Sequence, residues 1–201
     1  MENIDKLKEN LESNGFVVYF VKNKEEALNL AKTFLDGVKS VGLGGSTTVA
    51  QIGLLDFLVN QKDITVFNQY ESGISMEENI KRRREGMLSD LYVTGCNAIA
   101  KTGELINADG SGNRVAAQIF GPKKVLIVAG VNKIVSTVEE GFERIKNVAA
   151  KKNIDRMNSK ALEMGKEPRY NLNNIANKFA YINGDEPGRT NIILVDEELG
   201  Y

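Results

Sequence analysis

The sequence predicts an α/β fold: an open, mostly parallel sheet with helices on both faces. Three observations predict it. Short β-branched or aromatic runs alternate with longer segments whose apolar residues recur at helical spacing. Several of the short runs end in glycine and lead straight into a helical pattern, as βα units do. No long repeat, low-complexity tract or clear linker divides the 201 residues, so residues 1–201 are read as one domain.

Each element has its own signal. Residues 2–14 form a first helix, with Ile4, Leu7, Lys8 and Leu11 near one face and Gly15 as the stop. Phe16–Val21 is a strand. Lys24–Leu35 is a helix carrying Ala27, Leu28, Leu30, Ala31, Phe34 and Leu35 at helical spacing. Ser40–Leu43 is a short buried strand ending in Gly44-Gly45, and Thr47–Asn60 is one helix. The strand Ile64–Phe67 and the loop Asn68–Ser75 precede a charged helix, Met76–Ser89, which contains Arg82, Arg83 and Arg84. Then come the strand Asp90–Thr94 and a hairpin, Ala98–Ile106, turning at Thr102-Gly103. Gly112–Phe120 is a helix with Val115, Ala116 and Ile119. Val125–Ala129 is a strongly apolar strand. Val138–Lys151 is a helix whose pattern runs on to about Gly165. Tyr181–Ile182 and Ile192–Val195 are late strands. Residues 164–187, with weak periodicity and two of the three prolines, read as a mobile loop or a small appendage.

Composition narrows the chemistry. A chain of this length buries roughly 70% of its unfolded surface, enough for a substantial core. A net charge of −1 gives no global attraction to nucleic acid or anionic membrane. No apolar run reaches the ~20 residues of a membrane span, and the charged N-terminus is unlike a signal peptide. The expected location is the cytoplasm. The chain has no histidine and one cysteine. That excludes histidine-dependent nucleophile systems and metal sites, intramolecular disulfides, and an iron–sulfur cluster held by this chain alone. No metal site and no cofactor are expected. Any acid or base must be Asp, Glu, Lys, Tyr or Cys96.

The richest segment is Thr94–Arg114, with four glycines, three asparagines, Asp109, Arg114 and the only cysteine. A connector would not need that mixture. Gly95 and Asn97 follow a strand end, where ligands of open α/β sheets lie. Asp109-Gly110-Ser111-Gly112-Asn113-Arg114 then leads into a helix. Its bland reading is an Asx turn and a helix cap. Gly110 and Gly112 read as backbone-geometry residues. A second candidate wall is Gly44-Gly45-Ser46-Thr47-Thr48, a glycine turn opening a helix, where N–H groups and hydroxyls can meet an anion. It lacks the Gly-Lys-Ser/Thr ending of a P-loop. Its bland reading is a tight βα turn with Ser46 or Thr47 as N-cap. Gly130-Val131-Asn132-Lys133 ends a third strand, so Asn132 and Lys133 face the same crevice or lie on a solvated loop. Cys96 reads as a small buried thiol rather than a nucleophile. Arg82–Arg84 read as a solvated face, with an anionic ligand tail as the alternative. Tyr70 is a weaker candidate for stacking or acid–base work.

These residues carry a resemblance. The order T-G-x-N-A-I, D-G-x-G-N-R-V-A, F-G-P-K-K-V and G-x-N-K-I-V resembles the LUD-domain family of lactate-utilisation proteins. The similarity is strongest in Val41–Leu55, Ser89–Lys133 and Ile193–Gly200, and covers about nine-tenths of the chain. The resemblance implies the NagB/RpiA/CoA-transferase-like fold. It also implies a role in oxidising L-lactate to pyruvate beside iron–sulfur partner proteins. One departure is plain: many small members carry a cysteine-rich insert before the last strands, whereas Asn158–Tyr181 has no cysteine. A metal or redox role does not carry over from that insert. More distantly, Gly42–Thr48 resembles the phosphate loop of ribose-5-phosphate isomerases. The Gly95–Gly110 run resembles a segment of methylthioribose-phosphate isomerases. Asn97 stands at the catalytic aspartate of the latter and cannot act as a carboxylate base.

The leading expectation is a small anionic metabolite, phosphate- or carboxylate-bearing, bound at the strand ends. Gly44, Gly45, Ser46, Thr47 and Thr48 form one wall. Gly95, Asn97, Asp109, Gly110, Gly112, Asn113, Arg114, Asn132 and Lys133 form the other, with Asp109 as the base if there is one. In the lactate context the chain reads as an accessory subunit. Homo-oligomerisation is left open. The alternatives are a stand-alone isomerase, CoA transferase or cyclo-ligase, and a binding module without turnover. Glu104 is the only glutamate near the segment for a CoA transferase, and it is expected on the hairpin.

Overall fold

The computed structural model describes residues 2–201. Six parallel strands form the main sheet: β1 (Val17–Val21), β2 (Ser40–Leu43), β3 (Thr65–Phe67), β4 (Leu91–Gly95), β7 (Lys124–Gly130) and β10 (Thr190–Val195). Their order is β1-β10-β7-β4-β2-β3, and every neighbouring pair is parallel. β5 (Ala98–Ala100), β6 (Leu105–Asp109), β8 (Ile134–Val135) and β9 (Lys178–Ile182) form a second, mixed sheet in the order β8-β5-β6-β9. This is the expected α/β architecture. The hairpin β5–β6 turns at Gly103 (φ +105°), as its sequence predicts.

Strand alternation explains why helices lie on both faces. Along β7, Leu126 and Val128 point to one core; Val125, Ile127 and Ala129 point to the other. The first core also takes Ala27 and Ala31 of α2 (Lys24–Thr33), Val49 of α3 (Thr47–Gln51), and Leu54 and Leu58 of α4 (Leu54–Val59). The second takes Leu7 and Leu11 of α1 (Glu2–Ser13) and Ala117 of α6 (Asn113–Ile119). Each fully buried leucine contributes about 1.5–3 kcal/mol of apolar transfer.

Several boundaries differ from the sequence expectation. The single helix Thr47–Asn60 is two helices. Gly53 adopts φ +78° and breaks the run, so α3 has only 5 residues. The charged helix α5 is Met76–Gly86 rather than Met76–Ser89. Gly86 packs against Gly42, where a Cβ would meet the Gly86 carbonyl oxygen at 2.1 Å. Ser89 is instead a buried clasp, accepting from Gly42 N and donating to the carbonyls of Gly86 and Leu91. Ile119 of α6 is exposed, not buried; that helix buries Arg114, Val115, Ala117 and Gln118. The late strand begins at Lys178 rather than Tyr181 because it pairs along the whole of β6.

The helix predicted to run on from Val138 does so. α7 (Val138–Arg144) passes through one π-helical turn, Ile145–Ala149, into α8 (Ala150–Glu163). It lies against the second sheet, where Gly141 lets it approach Ile106 closely. A short helix α9 (Leu172–Ile175), capped by Asn171, precedes β9. No helix among the described residues is long and apolar enough to cross a membrane.

Candidate functional site

The second sheet grows out of the carboxyl ends of the first. β4 leads to β5 through Cys96-Asn97, and β7 leads to β8 through one 3₁₀ turn, Val131–Lys133. The candidate cleft is therefore the region where β2, β4 and β7 end. The Gly44–Thr48 turn lines one side, and the β6–α6 loop, Asp109–Asn113, lies on the other. This is the strand-end position that open α/β sheets use for ligands.

The β6–α6 wall is organised by one arginine. Arg114 is 8% exposed. Its Nε donates to Asp109 Oδ1 at 2.9 Å. One terminal nitrogen donates to Gly95 O and Asn107 Oδ1, the other to Asn97 Oδ1 and Ala108 O. All five N–H groups are thereby engaged. Burial alone would lower the Arg114 pKa, but the Asp109 carboxylate reverses that and holds it above its ordinary value. Asp109 Oδ2 also accepts from the backbone N–H groups of Arg114 and Val115. As placed, the pair builds the wall: Arg114 has no donor left for an anion, and Asp109 accepts from three donors, which a base would have to release. Gly112 (φ +96°) allows the turn into α6, and Gly110 O accepts from Lys178 Nζ.

Asn97 is tied down on three of its atoms. Its Oδ1 accepts from Ala108 N and Arg114, its N–H donates to Asn107 Oδ1, and its carbonyl accepts from Arg144. Its Nδ2 has no partner among the described residues. Asn113 Nδ2 reaches the Tyr92 hydroxyl at 3.5 Å. Asn132 holds the C-terminal segment: its Oδ1 accepts from Leu199 N, and its carbonyl accepts from Arg144 Nε.

On the facing side, Ser46 caps α3 by accepting from Val49 N at 3.2 Å. A helix of 5 residues has little dipole to offer, so the weight of the expected anion turn shifts to side chains. Thr48 is buried, and Gly45 is exposed. A Cβ placed on Gly95 would stand 2.5 Å from Ser46 Oγ, so the two walls touch at this point.

Lys133 lies at the cleft floor. It is 2% exposed, and its Nζ has no hydrogen-bond partner among the described residues. Burial pushes its pKa down to about 7, and Arg144, Lys152 and Arg114 push the same way. A Cβ on Gly200 would stand 2.4 Å from Thr48 Oγ1 and 3.4 Å from Lys133 Nζ, so the C-terminal segment packs at Gly200 against the hydroxyl and the amine.

Other residues reach the cleft that the sequence reading does not include. Arg144 bridges the carbonyls of Asn97, Asn132 and Tyr201. Lys152 and Arg156 stand at the rim on α8, acting electrostatically on Lys133 and Tyr70 respectively. The spacing of Arg144, Lys152 and Arg156 in multiples of four was the available signal. The arginine run splits. Arg82 pairs with Glu71 and Glu78, Arg84 is exposed, and Arg83 donates to Ser111 Oγ while its Nε is buried without a partner. The Tyr70 hydroxyl accepts from Gln69 Nε2 and faces Gly45, although the residue is 46% exposed. Cys96 is 5% exposed, and burial pushes its thiol pKa up, which disfavours the thiolate. Glu104 lies on the β5–β6 turn, held by Thr102. A hollow of about 710 Å³ lies along α5 beside Met76, Ile80 and Arg84, and none of the cleft residues lines it. Among the described residues no three acidic or cysteine side chains converge as a metal site would need.

A six-stranded parallel sheet flanked by helices, with a small second sheet continuing from its strand ends, defines this as an α/β protein. The LUD domain family model matches residues 4–195, and the chain belongs to that family. The fold is shared with a crystal structure of a DUF162 family protein from Deinococcus radiodurans, at 17% identity over 96% of both chains and a TM-score of 0.52. No curated protein matches the chain in sequence.

Proposed function

We propose that this LUD-domain protein binds a small carboxylate- or phosphate-bearing metabolite in the cleft at the ends of β2, β4 and β7. The observation that carries this is Lys133: a residue 2% exposed, with no carboxylate partner among the described residues and with cationic neighbours. Folding buries such a group at a cost, and an anion would repay it. Thr48 Oγ1 is a neutral donor near it, across Gly200. Lys152, Arg156 and Arg83 add positive charge at the rim, favouring anion entry. Arg114 and Asp109 hold the wall in position.

The role proposed for this site is in organic-acid metabolism, as the lactate-utilisation resemblance suggests, with the chain as an accessory subunit beside iron–sulfur proteins. A thermal-shift series with lactate, pyruvate, oxalate, phosphate and ribose 5-phosphate tests the binding. A ligand at 100 times its Kd stabilises by about 2.7 kcal/mol, roughly 5–11 °C for a chain of this length. If no anion raises Tm, the reading fails. Co-purification of an iron–sulfur protein with the tagged chain tests the accessory role.

A further inference from the structure

We propose that the outer face of α5 is a self-association surface. Its occupant is a second copy of this chain, docked with α5 antiparallel to α5 about a two-fold axis near Ile80. This face is separate from the anion site proposed above. The hollow of about 710 Å³ upon it is lined by Met76, Glu77, Ile80, Lys81, Arg84 and Glu85, all on α5. Met76 is 70% exposed and Ile80 40%. Leu88 and Phe120, 79% and 82% exposed, stand at the C-terminal end of the same helix, where Gly121 packs against the Met87 carbonyl. Single exposed apolar residues are ordinary on a protein surface; four of them along one helix and its end mark a surface that another body covers.

The charges select the body. Arg82 is held by Glu71 and Glu78, and Lys81 pairs with Glu85. Glu77 and Arg84 are exposed and have no ion-pair partner among the described residues. They are opposite in sign and two helical turns apart, so they stand nearly in line on one face, one turn to either side of Ile80 and Lys81. A two-fold axis through that level sets Glu77 against the partner's Arg84, and Arg84 against the partner's Glu77. The same rotation runs the helices antiparallel. The end that carries Leu88 and Phe120 then lies beside the partner's Met76, at the N-terminal half of the hollow. One patch is thus complementary to itself, as an isologous interface requires. A parallel pairing in register would instead oppose Glu77 to the partner's Glu77. The face is small beside the roughly 20–30 residues a side of a standard interface, so the dimer should be weak, with a Kd on the order of 10 µM.

The test is sedimentation equilibrium on the full chain, over about 1–200 µM to span that Kd. The mass should rise with concentration from 22.1 kDa, one chain, toward twice that value. Glu77→Arg alone and Arg84→Glu alone should each weaken association at least about tenfold, because both pairs across the axis become repulsive. Mixed in equal amounts, the two variants should associate again, since every pair across the axis is then an arginine against a glutamate. Damage to the fold of either variant would not be repaired by mixing. Ile80→Glu should abolish the dimer with an unchanged circular dichroism spectrum; if a charge variant misfolds, this variant still decides. A chain that stays at 22.1 kDa throughout overturns the proposal. So does a dimer that Glu77→Arg and Ile80→Glu leave intact, or one that mixing the two folded charge variants fails to restore.

Discussion

Arg114 Nε lies 2.9 Å from Asp109 Oδ1, and the two side chains are 10% and 12% exposed. They are five residues apart in sequence, yet they join the end of β6 to the first turn of α6. Through Arg114 the same pair also fixes Asn97 and the carbonyl of Gly95 on the neighbouring sheet. Removing one partner leaves a buried charge uncompensated, which costs about 3–5 kcal/mol. Asp109→Ala is therefore expected to lower stability by about that amount in urea denaturation. Asp109→Asn should fall short of it, because its amide oxygen can still accept a backbone N–H at the start of α6. If Asp109→Ala unfolds at the wild-type urea midpoint, the pair is not what holds this wall.

The sequence makes much of this arrangement readable, and the reasons are local. Strand alternation in Val125–Ala129 marks a sheet buried on both sides, and Gly44 and Gly95 mark strand ends. Asp109-Gly-Ser-Gly-Asn-Arg114 announces a capped turn, which it is. What the spacing hides is the use of Arg114. A side chain with five donors reads as an anion ligand until the carbonyls of Gly95 and Ala108, distant on the chain or across the turn, are seen to consume it. Arg144, Lys152 and Arg156 escape notice because a helix packed on another sheet brings them to the cleft. Gly53 is a further case. One glycine inside a helical pattern does not declare a break, and its positive φ emerges only when α3 and α4 pack on the sheet.

Lys133 should behave as a site residue that burdens the fold. Its folded pKa is about 7, below the ordinary 10.5. Below pH 7 both folded and unfolded chains carry the charge, and the burial cost is present in full. As pH rises from about 7 toward 10.5, the folded chain releases the proton while the unfolded chain keeps it, so this group's penalty shrinks. Lys133→Met removes the penalty. It is expected to raise stability at pH 7 by about 1–2 kcal/mol, roughly 2–8 °C in Tm, while abolishing anion-induced shifts. A variant that is less stable yet still responds to anions would contradict both parts.

Acid sensitivity should come in part from a carboxylate far from the cleft. Lys123 Nζ, the Lys39 N–H and the Ser40 hydroxyl hold the Asp90 pKa down at about 2. A depressed carboxylate stabilises the fold above its unfolded pKa, and that stability is lost as pH falls from about 4 through 2. After allowance for the exposed Lys123 partner, the contribution is about 1–2 kcal/mol. Asp90→Asn should lose that amount at pH 7 and show a flatter decline below pH 4. Parallel acid curves for the two proteins would refute the assignment.

The contact between Gly95 and Ser46 gives a test of how the two walls are joined. A Cβ at residue 95 would stand 2.5 Å from Ser46 Oγ and 3.2 Å from Ser46 Cβ. Its next neighbour, Val128 O at 3.4 Å, is at the edge of ordinary contact. Gly95→Ala must therefore push Ser46 off Val49 N, losing the cap of α3 and forcing β4 and the turn apart. The expected cost is about 1–3 kcal/mol. Ser46→Gly removes both offending atoms and should itself cost only a few tenths of a kcal/mol, about the usual penalty for glycine at an N-cap. In the Ser46→Gly background, Gly95→Ala should then be nearly neutral, since its methyl occupies the vacated space. The double variant would be more stable than the sum of the single effects predicts, with a coupling of roughly 1–2 kcal/mol in urea denaturation. Strict additivity would mean that the methyl's cost arises inside the sheet, not at the junction with Ser46.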